Sequence, residues 1–392
     1  MVEWKKLGDI CDIKNGYTPS TKNPEFWDNG EIPWFTLEDI RKNGRILNDA
    51  IKHITPKGIK KSGLFPENSI IISTTATIGE YALITTKFIC NQQITSISLK
   101  NDFKNAILIK YLFYLSEELG QWCKKNVNGG GSLLIISTSK LQNYPIPIPS
   151  KSEQERIVSI LDTFTSSIAN LKEQIKERRK QYEHYRDQLL DLEGKERVEM
   201  KTLGEVCEIT DYVANGSFAS LRENVEYKQE PDYALLVRTV DLSQNFEGDK
   251  IYINEHAYNF LAKSVLHGGE IIINNIGAGV GKTFRCPYLN VKMSLAPNSI
   301  MVRTTNNDFY YYWFSSLYGQ TAMSKIITPG AMPKFNKTGF KTIVIPIPPK
   351  QTQSRIVTIL DQFEASIANL EAQLKEREKQ YEYYRNQLLT FE

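Results

Sequence analysis

A glycine-rich segment is the part of the sequence that comes nearest to a motif with known chemistry. Residues 276–283 read IGAGVGKT, and glycine-rich loops of this kind bind phosphate groups through their backbone N–H groups. A Walker A loop, however, requires a glycine five positions before Gly281, where this chain has Ile276. The glycines at 277, 279 and 281 do not fit G-x-G-x-x-G either. The segment therefore does not predict a nucleotide site.

Other catalytic motifs are incomplete as well. Pro231-Asp232 is not followed by the acid-x-Lys pair of a nuclease site, and Pro348-Pro349 lacks the preceding Asn or Asp of an amino-methyltransferase loop. The four histidines are scattered, which favours neither a triad nor a metal cluster. The five cysteines include no C-x-x-C pair, so we expect reduced, buried thiols in a cytoplasmic protein. We expect no catalytic residue, metal or cofactor in this chain.

Basic residues are concentrated in two stretches, although the net charge is only +3. Residues 271–360 contain ten lysines and arginines against a single carboxylate, Asp308, and residues 119–152 contain four lysines and no acid. Such stretches are typical of a polyanion-binding surface when they fold onto one face. An ordinary solvated surface is the alternative, and the charges alone do not separate the two.

Length and composition indicate a folded chain of more than one domain. A chain of 392 residues exceeds what one hydrophobic core usually supports, and 41% hydrophobic with 24% charged residues is ordinary for globular proteins. No apolar run approaches the roughly 20 residues of a membrane span, and the first residues do not resemble a secretory signal. We therefore expect a protein that is not associated with a membrane.

An internal duplication organises the sequence. Residues 146–193 and 345–392 align at a constant offset of 199, with about two thirds of the positions identical. A weaker repeat opens each half, where EWKKLGDICDI from Glu3 matches EMKTLGEVCEI from Glu199. The chain is thus two tandem units, each with a variable stretch followed by a nearly invariant tail. Each variable stretch also contains a glycine-bearing polar loop, at residues 128–132 and 328–334.

Each tail predicts a long helix with a coiled-coil seam. Apolar and aromatic residues recur at spacings of four and three, no Gly or Pro interrupts the run, and an extended I-P-I-P segment precedes it. Arg178 and Arg377 occupy matching seam positions, where carboxylates such as Glu177 and Glu376 offset the cost of a cation. We expect the two helices to pack antiparallel, with the variable domains at opposite ends. The seam residues are Ile157, Leu161, Phe164, Ile168, Leu171, Ile175, Tyr182, Tyr185, Leu189, Ile356, Leu360, Phe363, Ile367, Leu370, Leu374, Tyr381, Tyr384 and Leu388.

The variable stretches combine short strands with one late helix each. In the first we predict strands at 69–73, at 94–99 and around Trp34, with a helix at 106–119. In the second we predict strands at 234–240, 270–273 and 299–302, with a helix at 309–324. The expected fold class is α+β: two tandem α+β domains joined by two long antiparallel helices, with pseudo-twofold symmetry.

These features together resemble the specificity subunit of type I restriction-modification systems. The resemblance covers essentially the whole chain and depends on the tail PIPSKSEQERIV with its copy PIPPKQTQSRIV, and on the opening WKKLGDICDIKNGYTP. It implies two target recognition domains, each reading half of a split DNA sequence, and two helices that act as a spacer and dock two methyltransferase subunits. Restriction subunits would join through the complex. The implied boundaries are 1–149 and 195–348 for the recognition domains and 150–194 and 349–392 for the helices.

Residues in polar loops and basic stretches are the candidates for contact with double-stranded DNA. Lysines and arginines neutralise phosphates, whereas amides such as those at 91–93 suit adenine edges. Capping is an equally good interpretation of those amides, and a simple hairpin turn is the alternative for the glycine loop. The candidates are Lys14, Asn15, Tyr17, Thr18, Thr75, Gln92, Gln93, Lys124, Lys125, Asn215, Arg238, Asn275, Lys282, Arg285 and Lys334.

A coiled-coil adaptor with two protein-binding domains and no DNA specificity is the alternative function. The salt dependence of DNA binding separates the two hypotheses, because only phosphate contacts give a steep negative slope.

Overall fold

The computed structural model describes residues 2–127 and 134–391. It divides into two compact units, the first made of Met1–Leu171 with Gln373–Glu392 and the second of Lys172–Ala372. Each unit therefore contains one globular region together with part of each long helix. The predicted loop at 128–132 lies outside the described residues.

The globular region of the first unit is built on a mixed sheet of five strands in the order β2-β9-β6-β7-β4. A second sheet has the order β5-β3-β8, and β1 pairs antiparallel with β10. The strands are β1 (Glu3–Lys6), β2 (Cys11–Asn15), β3 (Ile32–Phe35), β4 (Ile46–Leu47), β5 (His53–Ile54), β6 (Ser69–Ser73), β7 (Tyr81–Ile84), β8 (Ile89–Cys90), β9 (Ile94–Leu99) and β10 (Pro145–Ile148). The helices are α1 (Leu7–Ile10), α2 (Leu37–Asn43), α3 (Ile109–Lys125), α4 (Thr138–Gln142) and the long α5 (Lys151–Leu189).

The globular region of the second unit repeats this plan with two four-stranded sheets. Their orders are β12-β19-β16-β17 and β14-β13-β18-β15, and β11 pairs antiparallel with β20. The strands are β11 (Glu199–Thr202), β12 (Glu208–Asp211), β13 (Ala234–Val237), β14 (Tyr252–Ile253), β15 (Val265–Leu266), β16 (Ile271–Asn274), β17 (Thr283–Arg285), β18 (Lys292–Leu295), β19 (Ser299–Arg303) and β20 (Val344–Ile347). The helices are α6 (Leu203–Val206), α7 (Phe218–Asn224), α8 (Thr239–Ser243), α9 (Glu255–Phe260), α10 (Asn307–Ser315), α11 (Leu317–Ser324), α12 (Lys337–Lys341) and the long α13 (Lys350–Leu389).

The central strand of each unit is buried on both faces, which explains its unbroken apolar sequence. In β6, Ile70 and Ile72 belong to the core formed with α3, whereas Ile71 packs into a second core around Phe35 and Phe88. The second unit repeats the arrangement with Ile271–Asn274, whose alternate isoleucines enter two different cores. The α+β fold class is confirmed, since both units combine helices with sheets whose strands pair mainly antiparallel.

The prediction of one helix at 309–324 is wrong in one respect, because this segment forms two helices, α10 and α11. Ser316 between α10 and α11 has extended backbone angles, and its hydroxyl accepts a hydrogen bond from Gly319 N–H at 3.3 Å. A Cβ atom at Gly319 would lie 2.2 Å from the carbonyl oxygen of Trp313, so only glycine allows this close approach. The strand predicted at 234–240 likewise ends early, at Val237, because Arg238 is the N-cap residue of α8.

The segments of the long helices within each unit run antiparallel. In the first unit, Phe164 of α5 stacks on Tyr384 of α13 with ring centroids 5.3 Å apart, and Leu161 shares a core with Leu389. In the second unit, Tyr182 packs on Phe363 at 6.4 Å, and Leu190 shares a core with Ile356 and Leu360. Residue numbers rise along α5 as they fall along α13 in both cases.

The predicted seam residues lie mainly at these contacts. Ile157, Leu161, Ile175, Ile356 and Leu360 are buried. Leu189 and Leu388 are only partly buried, whereas the residue that follows each of them is fully enclosed in a core. The seam arginines lie over aromatic rings, Arg178 at 5.8 Å from Phe363 and Arg377 at 5.7 Å from Phe164. The cation at each position is thus accommodated by a π face, since Glu177 pairs with Lys180 instead.

Candidate functional site

The glycine-rich segment forms the turn of a β-hairpin. β16 and β17 pair antiparallel with Ile273 opposite Thr283, and the turn closes with hydrogen bonds between Asn274 and the residues at 281 and 282. Gly277 and Gly281 have φ values of 86°, a conformation that favours glycine. Lys282 is exposed, with its ammonium 5.1 Å from the Phe284 ring. The segment therefore presents Ala278 and one cation, Lys282, to solvent, while its glycines are partly or fully buried.

Arg285 occupies a different environment from the loop that precedes it. Its guanidinium lies 4.4 Å from the ring of Tyr311 and pairs with Asp308 at 3.2 Å, and Asp361 and Glu364 lie within 4 Å. Burial raises the pKa of the Glu364 carboxyl, and the Arg285 charge opposes that shift. The positive charge of Arg285 is therefore compensated inside the unit, and this side chain connects β17 to α10 and α13.

Two further candidates in the second unit hold local structure. The Asn215 amide donates to Tyr212 O and Ser264 Oγ and accepts from Lys263 N–H, so its hydrogen-bonding capacity is almost filled. Arg238 binds Asp241 at 2.6 Å and also donates to the carbonyl oxygen of Asp249. Asn275 and the exposed Lys334 differ from these two, because both line an open cleft.

Polar residues of the first unit meet where β2 and β6 end and β9 begins. Asn15 accepts a hydrogen bond from Thr95 at 2.8 Å, and Thr95 in turn contacts Thr74 at 2.9 Å. The Thr18 hydroxyl donates to Gln92. Gln93 belongs to the same cluster, since its backbone N–H donates to Asn91 Oδ1 and its side chain contacts the Asn91 amide at 3.4 Å. The structure thus brings the predicted amides together but satisfies several of them internally.

The remaining first-unit candidates separate into one buried residue and several accessible ones. Tyr17 is buried, and its hydroxyl accepts from Lys60 N–H at 2.8 Å and donates to Gly58 O at 3.3 Å, so it positions the loop. Lys14 is exposed at the edge of a cleft. Thr75 is partly exposed and forms an isolated bridge with Ile135. Lys124 and Lys125 are exposed at the end of α3.

Two equivalent contacts that sequence analysis missed join the globular regions to the long helices. Tyr114 donates to Asp162 at 2.6 Å in the first unit, and Tyr312 donates to Asp361 at 2.6 Å in the second. Burial, with the Asp162 carboxylate adding to it, raises the pKa of Tyr114 well above its ordinary value. The two aspartates are 199 positions apart, so the duplication itself was the signal that could have identified this pair.

A buried glutamine lies in the first turn of each long helix, and the sequence analysis did not identify it either. Gln154 accepts from Leu108 N–H at 2.9 Å and donates to Pro149 O at 3.0 Å and Ala106 O at 3.1 Å. Gln353 repeats this role through Pro348 O and the Asn306 amide. The helix start is thereby bound to the globular region in each unit.

The described residues offer no sign of a metal centre. Within residues 2–127 and 134–391, no three His, Cys, Asp or Glu side chains lie close enough together to hold an ion. Burial raises the pKa of Cys11 and of Cys286 to about 12, so these thiols are protonated at neutral pH. No helix in this part of the chain is both long and apolar enough to cross a membrane.

Comparison with known proteins identifies the family. The family described as type I restriction modification DNA specificity domain matches residues 1–178 and 195–379. The type I restriction enzyme EcoprrI specificity subunit of Escherichia coli is 33% identical over 93% of this chain and 88% of its own length. The EcoR124I/EcoR124II specificity subunit of the same organism is 38% identical over half of each chain.

Solved structures agree with the fold. The type I restriction-modification S subunit from M. genitalium has a TM-score of 0.57 at 17% identity and covers 100% of this chain and 97% of its own. A chain from a type I restriction-modification system, solved for its complex assembly and conformational transition, has a TM-score of 0.62 at 19% identity, over 99% and 96% of the two chains. The chain therefore belongs to the family of type I restriction-modification DNA specificity subunits.

Proposed function

We propose that this chain is a non-catalytic DNA reader in which each recognition domain reads one half of a bipartite double-stranded target. The observation that carries the proposal is the duplication of one scaffold with different loops. Thr74 and Asn275 make the same backbone hydrogen bonds to their neighbouring segments, yet the residues that follow them differ in sequence and length. Two related scaffolds with unequal loops suit two different half-sites.

The long helices are proposed to set the gap between the half-sites and to dock two methyltransferase subunits. Outside the seam, their surfaces are dominated by exposed charged residues such as Lys176 and Glu173. Two sequence-equivalent helices offer two equivalent surfaces, which suits two copies of one partner. Restriction subunits would join through that complex in the cytoplasm. The proposed boundaries are 1–149 and 195–348 for the recognition domains, with helices at 150–194 and 349–392.

The candidate residues are proposed to act in two ways. The accessible cations would neutralise phosphates, and the accessible amides and hydroxyls would meet base edges or sugars. The internally bonded residues would hold the loops that carry these groups. The first set is Lys14, Thr18, Thr75, Gln92, Gln93, Lys124, Lys125, Asn275, Lys282 and Lys334, and the second is Asn15, Tyr17, Asn215, Arg238 and Arg285.

Methylation assays test the proposal directly. The purified chain with S-adenosylmethionine should transfer no methyl group to DNA, and it should direct methylation to one split motif once an adenine methyltransferase subunit is added. Exchanging residues 199–345 for the corresponding domain of another family member should change one half-site only. Methyl transfer by the chain alone, or a continuous motif, would contradict the proposal.

A further inference from the structure

A cleft of about 430 Å³ opens in the second unit at the start of the glycine loop. It is bordered by the end of β12, by α7 and by the segment that precedes β19. The side chains that matter for its chemistry are Phe218, Arg222, Tyr227, Asn275, Asn298 and Lys334. The cleft therefore combines aromatic, amide and cationic groups within one recognition domain.

The charge balance of the cleft favours an anionic ligand. Arg222 and Lys334 are exposed, and neither forms an ion pair with any residue in the described part of the chain. The one carboxylate in the lining, Asp211, pairs with Lys337 at 2.9 Å and so is already neutralised. Two uncompensated cations at the edge of a cleft suit the phosphates on either side of a nucleotide.

The neutral groups match the major-groove edge of one base pair. Asn298 is exposed, and its side-chain amide has no hydrogen-bond partner among residues 2–127 and 134–391, so it offers one donor and one acceptor. Phe218 at the start of α7 is 80% exposed, which is unusual for so large an apolar side chain. An A·T pair presents adenine N6 and N7 to an amide and the thymine methyl group to an apolar side chain.

Asn275, which lines the cleft, carries an acceptor that the protein itself does not use. Asn275 Oδ1 is buried without a hydrogen-bond partner. The amide nitrogen of the same side chain donates a long hydrogen bond, of 3.3 Å, to Phe335 O. The equivalent position in the first domain is Thr74, as identical backbone bonds to the neighbouring segments show. The Thr74 hydroxyl is satisfied by Thr95 at 2.9 Å. The first domain thus pairs the side chain at this position internally, whereas the second leaves the Asn275 acceptor unpaired.

We propose that this cleft reads one A·T base pair in the half-site of the second domain. The Asn298 amide contacts the adenine edge, Phe218 contacts the thymine methyl group, and Arg222 and Lys334 bind the adjacent phosphates. The inference rests on the proposed function, since it assumes that the second domain meets duplex DNA.

The first test removes the amide without straining the backbone. Asn298 has a φ of 69°, which glycine adopts freely, so Asn298→Gly deletes only the side chain. The complex of this variant with its methyltransferase subunit should methylate a motif in which one A·T pair of the second half-site is no longer specified. Asn245→Gly is the matched control, because Asn245 also has a positive φ, of 49°, and lies outside the cleft lining.

The outcomes are distinct. An unchanged motif in the Asn298→Gly complex, or a relaxed G·C pair, would overturn the inference while leaving the proposed function intact. If the wild-type complex yields no split motif, the proposed function fails and the inference fails with it. Domain exchange, as described above, identifies which half-site belongs to the second domain.

A binding measurement tests Phe218 separately. Replacing the thymine of that base pair by uracil removes only the methyl group, and the wild-type complex should bind this duplex several-fold more weakly. The Phe218→Ala complex should not distinguish the two duplexes, because the contact partner is already gone. The Phe218→Ala complex should unfold at the same temperature as the wild-type complex, since the Phe218 side chain is 80% exposed. Equal discrimination by both proteins would overturn the assignment of Phe218.

Discussion

Two cations three residues apart in the second unit differ in whether carboxylates lie close enough to balance their charge. Lys282 is exposed, and no carboxylate pairs with it in the described residues. Arg285 retains 31% side-chain exposure and lies among the rings of Tyr311 and Tyr312 with three carboxylates nearby. Only a cation whose charge is not already balanced gains fully from meeting a phosphate, so Lys282 is the better candidate for DNA contact.

Lys282→Ala should weaken DNA binding without changing the sequence that is read. Loss of one phosphate contact reduces the slope of log K against log salt concentration by about one unit. The measurement is the affinity of the methyltransferase complex for its target over a range of salt concentrations. Lys201→Ala serves as the control, because Lys201 already pairs with Glu199 at 2.9 Å and should leave the slope unchanged. An unchanged slope for Lys282→Ala would mean that the hairpin turn has no phosphate contact.

Sequence reasoning grouped Lys282 and Arg285 together because both belong to one basic stretch. The stretch is visible in the sequence, but burial depends on residues far along the chain. Arg285 is enclosed by α10 and α13, which lie about 25 and 75 residues further on. Local charge counting could therefore predict which residues are cationic but not which of them have their charge balanced by carboxylates.

At the scale of elements, the start of each long helix depends on more than the proline-rich segment before it. Prolines prevent the helix from beginning earlier, but they do not attach it to the domain. Gln154 makes that attachment, since it is fully buried and bonds three backbone groups. Tyr114 adds a second attachment two turns later through Asp162. Together these contacts make the first turns of α5 part of the core of the first unit.

Gln154→Ala should destabilise the first unit by about 2–3 kcal/mol, because it removes three hydrogen bonds to backbone groups of Leu108, Ala106 and Pro149. Urea denaturation followed by circular dichroism measures the change in the free energy of unfolding. Gln188→Ala is the matched control, since Gln188 is exposed on the same helix and should change stability by less than about 0.5 kcal/mol. Equal midpoints for the two variants would refute the attachment role of Gln154.

The elements differ in how far the sequence could predict them. The heptad pattern predicted both long helices because a seam of about ten residues repeats its signal many times. The sequence analysis missed the break between α10 and α11. Serine is a typical N-cap residue, and Ser316 caps α11 by accepting a hydrogen bond from Gly319 N–H. The need for glycine at 319 arises from a close approach to Trp313, which no periodicity encodes.

At the scale of the whole chain, the duplication preserves the contacts that attach each long helix to its globular region. It does not preserve the side chains of the loops. The helix-start glutamines and the tyrosine–aspartate contacts recur at equivalent positions. The loop side chains at Thr74 and Asn275 do not, which leaves a closed hydroxyl cluster in one domain and an open cleft in the other. The sequence could predict the shared scaffold from its repeat, but not the cleft, whose lining comes from five separate segments.

Removing one heptad from each long helix tests the proposed spacing role. Deletion of residues 172–178 together with residues 371–377 keeps the heptad phase and shortens each helix by about 10 Å. Contacts outside the deletions remain available within each unit, such as Phe164 with Tyr384 and Tyr182 with Glu364. The methylated motif should retain both half-sites while its unread gap shortens by about three base pairs, at about 3.4 Å per base pair. Methylome sequencing measures the gap, and a complex that reads altered half-sites at the original gap would refute the role of the helices as a spacer.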